Sequence, residues 1–166
     1  MDLEILVTRL KEKFPDSVLD ANTFRGESTL EIRAEALLPV CRYLHDEPDQ
    51  AYDFLTDLCG VDFYPREPRF QVVYHLCALK TKNRLRLKVS VPGTDPHLPS
   101  VITIWKAANW MEREVFDMYG ITFEGHPDLR RILLPPGWTA YPLRKDYPLR
   151  GRAEDEPTGY QNNGQQ

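Results

Sequence analysis

Apolar and polar positions along this chain change their period several times, and each change predicts an element. Leu3, Leu6, Val7, Leu10 and Phe14 recur at helical spacing with charges between them, so an amphipathic first helix should end before Pro15. A short strand is expected from Val18 to Arg25. Leu30 and Ile32 then alternate with Glu31 and Arg33 as a half-buried strand, with Arg25-Gly26-Glu27-Ser28 as the turn between the two. A second helix should run from Leu37 to His45, tolerating Pro39 in its first turn. Three strand-like segments follow. Phe54 to Phe63 is interrupted by Gly60, and Arg69 to Leu79 is apolar on both faces, as a central strand would be. In Arg84 to Val91, Leu85, Leu87, Val89 and Val91 face one side and Arg84, Arg86, Lys88 and Ser90 the other. One dry and one wet face suit an antiparallel sheet covered by helices on one side.

A last helix is predicted over Trp110 to Tyr119. Asn109 is the expected N-cap, Glu112 the third-position partner of a capping box, and Gly120 the left-handed residue that ends it. The order α-β-β-α-β-β-β-α implies an α+β fold, a small mostly antiparallel sheet packed with helices, spanning residues 1–124.

From Gly125 the periodicity stops. Six of the fourteen prolines fall between Pro127 and Pro157, yet Trp138, Tyr141, Leu143, Tyr147 and Leu149 make the composition unlike that of a disordered segment. Residues 125–152 therefore read as an extended Pro-rich segment; it can fold back on the domain, but docking on a partner accounts better for its content, because Trp, Tyr and Arg dominate binding hot spots. Residues 153–166, acidic and then rich in Gln and Asn, read as a flexible C-terminus.

Charge and composition then narrow the function. A formal net charge of −4 argues against a dedicated nucleic-acid binder. The basic run Arg130, Arg131, Arg144, Lys145, Arg150 and Arg152, interleaved with aromatics, is the one feature that suggests single-stranded nucleic acid. No apolar run reaches the roughly 18 residues of a membrane span. Met1-Asp2-Leu3-Glu4 lacks signal-peptide character, so a reducing compartment is expected. Cys41, Cys59 and Cys77 are odd in number and far apart, form no C-x-x-C pair, and read as buried or inert thiols.

Candidate chemistry is sparse. Glu114 and Asp117 are neighbours on the last helix and could form an acid/base pair, but Arg113 offers Asp117 an ordinary helical ion pair, and no His completes a metal motif. His126, in a Gly/Pro turn, is the best general-base histidine. His45, His75 and His97 stand isolated. Ser28, Ser90 and Ser100 lack a nucleophile elbow, and no Gly-rich phosphate loop is present. No catalytic, cofactor-binding or metal residue is therefore expected in this chain.

Two stretches carry a family resemblance. Trp110-Met111-Glu112-Arg113-Glu114-Val115-Phe116-Asp117-Met118-Tyr119-Gly120-Ile121 continues, through Phe123, into Gly125-His126-Pro127-Asp128-Leu129-Arg130-Arg131-Ile132-Leu133. Pro142-Leu143-Arg144-Lys145-Asp146-Tyr147-Pro148 follows. Together they resemble the signatures of the 30-kilodalton subunit of respiratory complex I (NADH:quinone oxidoreductase). The resemblance covers roughly Leu98 to Leu149. It implies a protein without a redox centre, docked on the 49-kilodalton subunit in the peripheral arm. FMN and iron–sulfur clusters would reside in partner subunits, and the complex would face the cytoplasm at a bacterial inner membrane. It also implies signature or interface roles for Glu112, Arg113, Glu114, Asp117, His126, Arg130 and Arg131, and tail docking by Trp138, Tyr141, Arg144, Lys145, Asp146 and Tyr147. The equivalent component of a ferredoxin- or F420-dependent relative, or of a membrane-bound hydrogenase, is the alternative, since the electron-input module lies in other chains.

Overall fold

A computed structural model describes residues 3–48 and 51–155. Most of the segment expected to be flexible, residues 156–166, lies outside the described residues.

The chain runs α1 (Leu3–Lys13), β1 (Val18–Phe24), β2 (Glu27–Ile32), a 3-10 turn (Ala34–Ala36), α2 (Leu37–Asp46), β3 (Phe54–Asp62), β4 (Phe70–Cys77), β5 (Arg84–Val91), β6 (His97–Pro99), α3 (Ala108–Tyr119) and β7 (Thr122–Glu124). The five long strands form one sheet in the order β1-β2-β5-β4-β3. Three of its pairings are antiparallel, and β2 with β5 is parallel. The expected α+β class holds, with a mixed sheet.

The β1–β2 hairpin turns on Arg25 and Gly26, at φ 53° and 80°. Positive φ at both central residues matches the twist of the flanking strands, and glycine accepts it without strain. Glu27 and Ser28, expected in the turn, instead open β2, with Glu27 paired to Phe24.

The alternation in β5 survives: Leu85, Leu87, Val89 and Val91 are buried. β4 contributes Phe70, Val72, Tyr74 and Leu76 to the same cluster. Leu6 and Leu10 of α1, Leu37, Val40, Cys41 and Leu44 of α2, and Ala108 and Val115 of α3 complete it. Burying each large aliphatic side chain contributes about 1.5–3 kcal/mol, which makes this cluster the main source of stability. The opposite face carries Gln71, His75, Arg86, Lys88 and Ser90, all half-buried.

α3 crosses β3 closely. A Cβ at Gly60 would stand 2.7 Å from the Tyr119 ring, so only glycine permits this approach. Gly120 closes α3 at φ 72°, the left-handed conformation expected of it. β6 and β7, which the sequence reading missed, pair in parallel as a second small sheet beside α3.

Candidate functional site

The signature residues meet at α3, where most of their polar atoms hold backbone. Asp117 is fully buried. Its Oδ2 accepts the N–H groups of Ile132, Leu133 and Leu134 at 3.0, 2.7 and 2.9 Å. Its Oδ1 accepts Arg131 Nη1 at 2.7 Å. Burial alone would raise the Asp117 pKa, but the Leu134 amide, Arg131 and the other two amides outweigh it and hold the carboxyl below its usual range. Its ion-pair partner is therefore Arg131, not the helical Arg113 that i+4 spacing suggested. Arg113 instead donates from Nε to the Arg130 carbonyl at 3.0 Å and from Nη2 to the Arg131 carbonyl at 3.1 Å, with its guanidinium over the Trp110 ring.

Glu112 is also fully buried, and it does not cap its own helix. The N-cap of α3 is Ala107, which makes no side-chain cap bond, so the expected capping box of Asn109 and Glu112 is absent. Glu112 reaches back to the turn before the helix, where Ser100 Oγ donates to Oε2 at 2.6 Å and the Val101 N–H to Oε1 at 2.8 Å. Ser100 Oγ in turn accepts the Ile102 N–H at 3.2 Å. Burial pushes Glu112 up to about 7, against the pull of the Ser100 and Val101 bonds.

His126, already marked by its motif, turns out to be a neighbour of Glu112. Its side chain is fully buried, with Nε2 4.0 Å from Glu112. Nδ1 accepts the Asp128 N–H at 3.1 Å, and Nε2 lies 3.2 Å from the Asn109 carbonyl. That pair of contacts selects the neutral tautomer with its proton on Nε2. The ring thereby ties the β7–tail turn to the start of α3.

A second anchor holds the later motif. Asp62, at the end of β3, is buried and accepts Arg69 through both oxygens, at 3.0 and 2.9 Å. It also takes the Lys145 N–H at 2.8 Å and the Tyr64 N–H at 2.9 Å. Burial works against ionisation there, but Arg69 and the two amides bring the pKa down to about 2. Arg69 also pairs with Asp146 at 2.6 Å. Arg144 donates from Nε to the Tyr119 carbonyl at 2.6 Å and lies between the Phe70 and Tyr141 rings. Tyr147 donates its hydroxyl to Asp155 at 2.9 Å. Asp62 and Arg69 escaped the sequence reading because 77 or more residues separate them from the tail residues they hold.

Some predicted residues stand apart from these anchors. Glu114 is exposed, Arg130 is exposed and paired with Asp128 at 3.0 Å, and the Lys145 side chain is exposed. Trp138 is half-buried. Of the basic run, Arg131 and Arg144 are turned inward onto the chain, which breaks the stripe that a nucleic-acid groove would need. Glu114 and Asp117 do not converge as an acid/base pair, because Asp117 is saturated by backbone donors. Trp110 and Leu133 are left 62% and 61% exposed, and Leu143 and Leu149 are also exposed.

The family model of the respiratory-chain NADH dehydrogenase, 30 Kd subunit, matches residues 30–153, which takes in β3, β4, β5 and both anchors. The chain belongs to that family. Within the 30 Kd family it is 47% identical over 149 residues to the corresponding NADH-quinone oxidoreductase protein of Roseiflexus castenholzii, covering 90% of this chain and 86% of that one. It is 48% identical over 146 residues to the corresponding protein of Geobacter sulfurreducens, covering 87% and 89%. Among solved structures, a trypsin-resistant fragment of Nqo5 aligns with TM-score 0.65 at 34% identity, covering 78% of this chain and all of the fragment. A chain of the membrane-bound sulfane sulfur reductase, an archaeal respiratory membrane complex, aligns with TM-score 0.72 at 26% identity, covering 88% and 85%. The resemblance carried by the α3 and Pro142–Pro148 motifs therefore holds. The two bacterial relatives are subunits of an oxidoreductase complex of the respiratory chain. Among the described residues, no helix is long and apolar enough to cross a membrane.

Proposed function

We propose that this chain is a structural component of the peripheral arm of a proton-translocating NADH:quinone oxidoreductase. It docks on the 49-kilodalton subunit, which helps to form the quinone site, and supports electron transfer from NADH to quinone without carrying a redox centre. FMN and iron–sulfur clusters belong to partner subunits, and the arm lies on the cytoplasmic side of a bacterial inner membrane, reached only through the complex.

One observation carries the reading. The buried signature carboxylates spend their oxygens on the chain's own donors, while the same elements leave Trp110, Leu133, Leu143 and Leu149 outward. Polar groups consumed internally beside exposed large apolar groups are what a docking face needs, since such anchors dominate binding energy once covered.

The test is recovery of the tagged chain from its native membranes in mild detergent, with and without Trp110→Asp and Leu133→Asp. The unaltered chain should bring down a homologue of the 49-kilodalton subunit and NADH:quinone activity. Both substitutions should cut that recovery at least tenfold while leaving the circular dichroism of the isolated chain unchanged. A lone chain from native membranes, or undiminished recovery of both variants, would sink the docking assignment.

A further inference from the structure

The open face of the sheet assembles three metal-ligating side chains of different chemistry. β3 and β4 pair antiparallel with Asp57 directly opposite His75. Cys59, two residues on, returns to the same face, because strand side chains repeat every second residue. The carboxylate, thiol and imidazole donor atoms all lie within 4.8 Å of one another.

We propose that Asp57, Cys59 and His75 bind one borderline divalent cation of the zinc class.

The donor set selects that class. One sulfur, one nitrogen and one oxygen suit zinc, whereas calcium and magnesium take six or more oxygens. Zinc–ligand bonds of about 2.0–2.3 Å place tetrahedral donors roughly 3.3–3.8 Å apart, so the side chains need only small rotations. Asp57 Oδ1 accepts the N–H of Leu58 at 2.9 Å, which fixes the carboxylate and leaves Oδ2 to turn to the ion. A depression of about 260 Å³ opens beside Asp57 and His75 and has room for water as the fourth ligand.

The charges agree. A thiolate and a carboxylate neutralise the ion between them. Arg86, the nearby cation, is already paired with Glu27. Glu114, exposed on α3 and one of the signature positions, adds negative potential at Cys59. Cys59 would bind as the thiolate, the form in which cysteine ligates zinc. Bound metal would pin the edge strand β3 to β4 at the irregularity between Leu55 and Asp57.

Cobalt(II) is the probe. Titrated into the full-length chain under reducing, chelator-free conditions, one equivalent should bring up a thiolate-to-cobalt charge-transfer band with the visible bands of a four-coordinate ion, and zinc should remove both. Cys59→Ser should abolish the band and His75→Ala should weaken cobalt affinity at least tenfold, while Cys77→Ser keeps both. In the unaltered chain, zinc should slow alkylation of Cys59 at least fivefold and leave Cys77 unaffected. No charge-transfer band, a band that persists in Cys59→Ser, or alkylation of Cys59 indifferent to zinc would each overturn the site.

Discussion

The sheet and the C-terminal segment are held by opposite means. In the sheet, fully buried side chains such as Leu30, Leu87, Val89 and Leu44 close one apolar cluster that requires no particular partner for any one of them. The segment from His126 to Tyr147 contributes little to that cluster. Buried Asp117 and Asp62, with Arg69, Arg113 and Arg144, fix it through specific hydrogen bonds, many to backbone. Apolar burial is tolerant of exchange, whereas a buried carboxylate demands its donors. The segment is thus specified residue by residue, which is why its motifs are so readable, while the sheet is specified by pattern.

The sharpest way to break that comparison is Asp117→Ala. It strands three amides and Arg131, and removing one partner of such a buried set costs roughly 3–5 kcal/mol. The loss should be local. Amides of Ile132, Leu133 and Leu134 should exchange with deuterium at least a hundredfold faster, and those of β4 and β5 should keep their rates. If the strand amides accelerate equally, the two regions are one cooperative unit and are not held independently.

That anchor shows what local pattern can and cannot convey. The strict alternation in β5 and the glycine at position 120 were legible, because each depends on neighbours within a few residues. The parallel pairing of β2 with β5 was not, since α2, β3 and β4 intervene between them. Glu112 was misread for the same reason. Its position suggested a capping box on its own helix, but its donors lie 11 and 12 residues upstream, in a turn whose approach depends on packing. Asp57, Cys59 and His75 likewise become neighbours only through strand register. Signature residues were found by their motif; which atoms they hold came only from the fold.

Glu112→Gln should have the next largest effect, with the opposite sign. A carboxyl raised from 4.5 to about 7 binds its proton more tightly in the folded chain, so stability falls as pH rises from about 4.5 to 7 and stays reduced above. The shift corresponds to about 3 kcal/mol at neutral pH. Glutamine keeps an acceptor for Val101 and removes the titration, so the variant should gain up to that amount at neutral pH and flatten the profile across this window. Asp62 runs the other way. Its pKa, lowered to about 2, gives stability that is present above about pH 4 and lost as pH falls toward 2. Urea midpoints across the pH range separate the two, and an unchanged slope between pH 4.5 and 7 in Glu112→Gln would mean that Glu112 is ionised throughout.

The smallest expected effect on stability discriminates best between holding and docking. Glu114 belongs to the same signature as Glu112 and Asp117, yet it is exposed and contacts none of the segment's backbone. Substitution of such a surface residue usually changes stability by less than about 0.5 kcal/mol. Glu114→Ala should therefore leave the urea midpoint and the exchange rates of residues 132–134 as they are. If the carboxylate there serves a partner, the variant should still lose recovery of the 49-kilodalton subunit, by a factor that shrinks as salt is raised, because an exposed charge is screened. A variant that assembles normally at every salt concentration would confine the docking face to the apolar group around Trp110 and Leu133.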